Sequence, residues 1–535
     1  MTDQDSLSPP RAPLDDPQAT PAMRQYLDAK RRYRDALVFF RMGDFYEMFY
    51  EDALVGSRAL DLTLTSRSKD TAGGAIPMCG VPYHAVDAYL ARLIKKGFRV
   101  AICDQVEDPR KAKGLVRREV VRLVSPGTFT ESSYLDAREP AFIMAVVTSS
   151  SPPTSAAVGR GQDSPSIGVA LMDLSTGEFS TSEFDGPSAA AALADELLVL
   201  RPREILLPSD LDRAWLLPDA ASAGITFTQA EPWTFELEFA RRRLLDQLRA
   251  GGLEGFGLAD HPHASRAAGA LVHHLRETQR VDLAHVRAVT FRRPSDCLLL
   301  DPVTLKHLEV LQSLDGQHAA SLIGVLDRTV TAMGGRLVRA WLLKPLLSVD
   351  RVRDRLDTVE EFGFRATDRG RLRDLLSAVH DVERLVSRAV LGQAGPRDLV
   401  ALRLSLAAIR SIRSLLAPFE APLVRSLVAA LDDHGALRDQ LARTLIDQPP
   451  ALAREGGFIR DGVDQEIDSL RNISRSGRHV IAELETRERE RTGISSLKVR
   501  YNRVFGHYIE VSKSNLHAVP RDYHRKQTIA GGERF

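Results

Sequence analysis

Phe45 and Glu47 stand two residues apart in the run 38–50, Val-Phe-Phe-Arg-Met-Gly-Asp-Phe-Tyr-Glu-Met-Phe-Tyr, just after Gly43 and Asp44. Side chains alternate along a strand, so that spacing puts both on one face. A ring beside a carboxyl group suits a surface that wedges into a base stack and tests the neighbouring base edge with a hydrogen bond. The plainer reading is a buried strand, the usual fate of so aromatic a run. A second set lies near the end of the sequence. Between Lys498 and Thr528 stand seven basic residues, Lys498, Arg500, Arg503, Lys513, Arg521, Arg525 and Lys526, against Glu510 and Asp522, a formal +5. Asn502, Asn515, Tyr501, Tyr508, Ser512 and Ser514 add donors suited to phosphate oxygens. Such contacts give salt-dependent affinity without sequence preference. Here the plainer reading is a merely soluble tip.

Other chemistry finds less support. Asp173 lies on an alternating stretch, but two-metal nucleases need several clustered carboxylates, and no second acid has a convincing strand context. Cys79, Cys103 and Cys297 are too scattered for a disulfide framework or a zinc site, and the histidines, His273-His274 included, lack ligand spacing. No metal site and no catalytic residue is expected. At 535 residues the chain calls for several domains, and its 44% hydrophobic and 27% charged content are those of an ordinary globular protein. The net charge of +1 carries no information on nucleic acid until its distribution is known. There is no apolar run long enough to span a membrane, and the polar, proline-bearing start lacks signal-peptide character. The expectation is a cytoplasmic protein with no membrane partner and a disordered leader over 1–22.

Four further segments follow. Residues 23–123 alternate strand-like stretches (36–40, 100–103) with a helical one (85–96), an α/β pattern. Residues 124–283 carry strand candidates at 141–147, 167–174 and 178–184 and helices at 189–200 and 236–249, again α/β, with a Ser/Pro/Gly-rich loop at 148–166. Residues 284–460 read as helix after helix, with Leu305, Leu308, Val310 and Leu311 at helical spacing. Residues 461–535 form a long arm, stopped at Gly493, that leads into a small basic sheet beginning with 497–504 and 508–513.

These residues carry a resemblance to the MutS family of DNA mismatch repair proteins. The 38–50 run resembles its mismatch-reading motif. Ile76–Val86, Val121–Thr128, Thr331–Leu337, Trp341–Leu346, Arg487–Gly493 and Tyr501–Ile509 resemble later family blocks, in family order. The resemblance implies a mismatch-binding α/β domain, a ribonuclease H-like α/β connector, an all-α lever and a partial clamp with a small β-sheet. It implies that Phe45 stacks beside a mispaired base and Glu47 hydrogen-bonds it. Arg67, Lys69, Lys498, Arg500, Asn502, Arg503, Lys513 and Asn515 are the expected DNA-backbone contacts, although Arg67 is as readily a solvated charge. Intact members are homodimeric P-loop ATPases that use ATP and Mg2+ and recruit a MutL-type partner. This sequence holds no G-x-x-x-x-G-K-[ST] run and no Gly-Lys pair. It therefore reads as an N-terminal fragment without the ATPase domain, binding mismatched double-stranded DNA but not itself an enzyme, and needing no cofactor. The rival functions are a non-selective DNA binder, a helical scaffold with Phe45 in its core, and, remotely, a ribonuclease H-like nuclease built on Asp173.

Overall fold

The aromatic run folds back on itself. In the computed structural model Gly43 takes φ +58°, a left-handed conformation that glycine adopts without strain, and a two-residue turn joins β1 (Leu37–Met42) to β2 (Phe45–Phe49). The structure describes residues 19–69, 75–107, 115–131, 134–149, 165–212, 223–293, 296–502 and 506–535, without the side chains of 67–69, 475 and 478. Most of the Ser/Pro/Gly-rich loop at 148–166 falls outside them.

The hairpin joins β3 (Thr65–Lys69), β4 (Ala75–Pro82), β5 (Val100–Gln105) and β6 (Arg118–Val124) in a sheet ordered β3-β4-β2-β1-β5-β6. Only β1 and β5 run parallel. Helix Pro21–Arg32 covers one face through Met23, Tyr26 and Leu27. Helices Tyr50–Leu60 and Val86–Lys95 cover the other through Ala53, Leu60, Leu90 and Leu93. Asp52 ties the layers together: its carboxylate accepts from Lys30 Nζ at 2.6 Å, Tyr26 Oη at 2.9 Å and the Val38 amide at 3.0 Å. Burial pushes its pKa up while the Lys30 ammonium opposes the shift. The first helix starts at Pro21 and is capped by Thr20, so it reaches into the expected leader; residues 1–18 lie outside the described residues.

A second six-stranded sheet follows, built from β7 (Phe142–Thr148), β8 (Ser166–Asp173), β9 (Glu178–Asp185), β10 (Glu204–Pro208), β11 (Thr226–Ala230) and β12 (Thr290–Phe291). Its order is β11-β10-β7-β8-β9-β12, with β8 antiparallel to both neighbours. Helices Pro262–Gln279 and Leu237–Leu248 pack on one face, and Ala189–Leu200 on the other. The sheet extends past the expected limit at Leu283. Leu283, Val286 and Val289 belong to its core, and a two-residue edge strand leaves no periodic signal.

The strap between the sheets is pinned at both ends. Buried Glu204 accepts from the Gly127 amide at 3.0 Å and from the hydroxyls of Ser125 and Thr228. A Cβ on Gly127 would lie 2.8 Å from Ile143 Cβ, so only glycine fits there. Further along, Arg384 donates to the carbonyls of Asp136 and Glu139 at 3.0 and 2.9 Å, and Arg388 pairs with Glu131 at 2.8 Å and Asp398 at 3.0 Å.

Those arginines come from the helical segment, which runs from Pro302 through Val382–Val390 and Pro396–Leu416 to Pro422–Ala430. One expected helix is cut short. It ends at His307, and Glu309 at φ +50° turns the chain, so Leu308, Val310 and Leu311 lie beyond it. Large apolar side chains stay exposed on helix Val349–Phe364, among them Leu356, Val359 and Phe364.

Residues 439–535 form a second compact unit. Its helix Gln465–Thr492 is capped by Asp464 and closed by Gly493 at φ +66°. It leads into an antiparallel sheet of β13 (Lys498–Asn502), β14 (Gly506–Ser512), β15 (Gln527–Ile529) and β16 (Gly532–Arg534), ordered β13-β14-β16-β15. Ile494, Leu497 and Val511 form its core.

Candidate nucleic-acid interface

Six aromatic side chains occupy positions 39–50, and only one of them is exposed. Phe39, Phe40, Tyr46, Phe49 and Tyr50 are all buried, whereas Phe45, paired with Met42 at the hairpin mouth, is 46% exposed. The core reading of the run therefore holds for its neighbours and fails for Phe45. A ring left in water at a tight hairpin has its face open to a partner, whereas its neighbours in the run are committed to the core.

The strand frame beneath it is closely packed and hydrogen-bonded. Tyr46 lies on the opposite face, stacked on Phe39 at 6.2 Å between ring centroids, and its hydroxyl donates to Asp104 at 2.9 Å. Burial and the Asp104 carboxylate raise its pKa. Burial likewise pushes the Cys79 thiol up to about 11 and the Cys103 thiol up to about 12, leaving both protonated near neutrality.

Glu47 shares the Phe45 face, as the alternation requires, but sits one pleat further in. It lies opposite Phe40 on β1 and Gly80 on β4 and is only 5% exposed. The ring leads and the carboxylate follows. Arg67 and Lys69 belong to β3, the edge strand two places from β2; their side chains lie outside the described residues.

In the second unit, Lys498 and Arg500 are exposed on β13, on the side opposite Val499, which packs on the small core. Arg500 lies 4.0 Å from Glu510, and Arg534 pairs with the same carboxylate at 3.3 Å while stacking 4.8 Å over the Tyr508 ring. The Arg500 contact, long and exposed on the arginine side, is worth only about 0–1 kcal/mol, whereas the Arg534 pair is partly buried. Asn502 is half-buried on the Arg500 side of the strand, and Arg503 lies outside the described residues. Lys513 is exposed on the turn after β14. The Asn515 amide already donates to Ser496 Oγ at 2.8 Å and Ser512 Oγ at 3.3 Å, which leaves it less free than Lys513 to meet a phosphate. Arg534, on a hairpin of two three-residue strands past the basic stretch, adds to this sheet a cation that the sequence does not single out.

Asp173 is spent on structure. Its buried carboxylate accepts from the Ala141 amide at 2.9 Å and from the Ser175 amide and hydroxyl at 2.8 and 2.6 Å. Among the described residues no group of three His, Cys, Asp or Glu is placed to hold a metal ion, and no helix is long and apolar enough to cross a membrane.

Comparison with known proteins adds an independent line. Family models described as MutS domain I, MutS domain II and MutS domain III match residues 20–133, 142–287 and 303–518. The chain is 44% identical over 525 residues to the DNA mismatch repair protein MutS of Solibacter usitatus, covering 97% of this chain and 58% of that protein. It is 43% identical over 524 residues to the protein so named from Symbiobacterium thermophilum, covering 98% of this chain and 58% of that one. Against the Methanosarcina barkeri protein of the same name it is 43% identical over 525 residues, covering 96% and 58%. The chain thus spans less than two thirds of the length of these curated relatives.

Proposed function

Since the chain belongs to the MutS family, we propose that it recognises mismatched or unpaired bases in double-stranded DNA by inserting Phe45 into the stack and kinking the duplex. One observation carries this reading: Phe45 is the exposed ring of an otherwise buried aromatic run, presented at the end of a tight hairpin. Opening a base step costs a few kcal/mol, and a mispair has already lost part of that stabilisation, so insertion favours the defect.

Glu47 acts second. Its buried position keeps the carboxylate from phosphates until the ring has displaced a base, which then offers a hydrogen-bond donor at the strand. Lys498, Arg500 and Lys513, with Arg67 and Lys69, supply backbone affinity without sequence preference. The order β11-β10-β7-β8-β9 with β8 reversed supports a ribonuclease H-like connector, and the hydrogen bonds of Asp173 weigh against a nuclease. The exposed apolar face of Val349–Phe364 supports a lever completed by residues found in the longer relatives. In that longer protein, homodimerisation, ATP and Mg2+ use and a MutL-type partner belong to the same reading, with a cytoplasmic location. No residue here is assigned to nucleotide, because the sequence has no phosphate-cradling Gly-Lys loop.

The kink gives the test. A duplex labelled at both ends with a donor and acceptor dye should show increased energy transfer on binding when it carries a G·T mispair. The increase should disappear with Phe45→Ala. Bound mismatched DNA that stays straight would sink the wedge.

A further inference from the structure

Three backbone carbonyls at the mouth of the β1–β2 hairpin accept from donors on side chains and strands around it. Arg118 Nε donates to the Arg41 carbonyl at 2.6 Å, Arg41 Nε to the Gly43 carbonyl at 2.5 Å, and the Tyr83 amide to the Asp44 carbonyl at 3.0 Å. The pairing of β1 with β5 stops at Phe40 and Cys103, so beyond that point the ladder supplies no partner on that side. The Asp44 carbonyl belongs to the peptide bond that leads into Phe45. The Arg41 guanidinium lies 3.8 Å over the Tyr83 ring, so the donor that fixes one turn carbonyl is stacked on the residue that fixes the next.

Resting on the reading of Phe45 as the wedge, we infer that Arg41 is a positioning residue for mismatch discrimination. It locks the two-residue turn so that the exposed ring is presented in one orientation before DNA arrives. By strand alternation Arg41 lies with Tyr46 on the face opposite Phe45, so it acts through the backbone and not on a base. A ring on an unclipped turn would have to be ordered at the moment of binding, and that loss falls on the step that separates mismatched from matched DNA. Lysine cannot substitute, because it has no planar group that stacks while donating sideways to a carbonyl.

The test uses the 535-residue chain and the ratio of its affinities for a G·T duplex and its matched counterpart, with urea unfolding as the check on folding. Arg41→Ala should lower the ratio about tenfold, the equivalent of one charge-assisted hydrogen bond, and leave matched affinity unchanged. Arg41→Lys should behave like Arg41→Ala. On a Phe45→Ala background Arg41→Ala should cause no further loss, because its whole effect passes through the ring. If Arg41→Ala fails to fold, Tyr83→Leu, which removes the stack and keeps the amide, decides by the same ratio. An unchanged ratio in Arg41→Ala, with Phe45→Ala still losing it, overturns the inference and leaves the wedge standing. An equal fall for both duplexes overturns it in favour of a phosphate-binding role. A wild-type chain with no preference overturns the wedge reading and the inference together.

Discussion

The hairpin mouth and the β13–β14 sheet are both candidate DNA surfaces, built on opposite plans. At the hairpin one apolar ring stands in solvent on a frame whose neighbouring side chains are buried and hydrogen-bonded. On the sheet Lys498 and Arg500 stand exposed above a small core, and Arg500 and Arg534 share the Glu510 carboxylate. An exposed ring on a rigid support discriminates, because a displaced ring loses its stacking partner. Exposed, exchangeable charges attract, because any phosphate replaces a weak ion pair. On the proposed reading, selectivity rests on the hairpin ring and much of the affinity on the cations of the second unit, so substitutions in the two places should have separable effects.

The largest effect expected is on selectivity. Phe45→Ala removes a stacking interaction worth about 1–3 kcal/mol, so the preference for mismatched DNA should fall by about 5- to 150-fold while matched affinity holds. Parallel titrations of the two duplexes read this directly. Next is the frame itself. Asp52→Ala strips a buried carboxylate from Lys30, Tyr26 and the Val38 amide and should destabilise the first domain by about 3 kcal/mol, seen as an earlier urea transition. A folded Asp52→Ala protein with undiminished selectivity would break the link between stiffness and discrimination.

On the other side of the comparison, Lys498→Ala combined with Arg500→Ala should weaken both duplexes by the same factor. The slope of log affinity against log salt should fall by about 0.9 for each phosphate that is no longer neutralised. Any change in the mismatch ratio there would merge the two regions into one. The smallest effect is chemical. Cys79 and Cys103, buried in the hairpin's sheet with thiols held at about 11 and about 12, should react with iodoacetamide at about pH 8 far more slowly than the partly exposed Cys297. Rapid alkylation of Cys79 in the native protein would mean that the frame opens readily.

Much of the fold is legible in the sequence where local pattern and tertiary role agree. The helix expected over 189–200 is Ala189–Leu200, and the strands at β7, β8 and β9 fall within a residue or two of their apolar stretches. Gly493 closes the long helix as its place after the last basic turn predicts. What escapes is structure fixed by distant partners. Gly43-Asp44 between two apolar stretches is a hairpin signal, yet an aromatic run reads first as one strand. Arg384 and Arg388 look like the polar face of a short helix, and only the folded chain brings Glu131, Asp136 and Glu139 to them, about 250 positions away in sequence. Phe45 is legible as chemistry but not as geometry. Nothing in the local sequence distinguishes the one ring left in solvent from its five buried neighbours; Tyr83 and Arg118, which frame its turn, come from other strands and turns.

The central claim is that one exposed ring confers selectivity. Competition binding of the chain to G·T-mismatched and matched duplexes at one fixed salt concentration, beside Phe45→Ala, tests it most directly. The account predicts a preference for the mismatch in the wild type that vanishes in a folded Phe45→Ala protein while matched binding persists. Equal binding of both duplexes by the folded wild type, or a preference that survives Phe45→Ala, would contradict it.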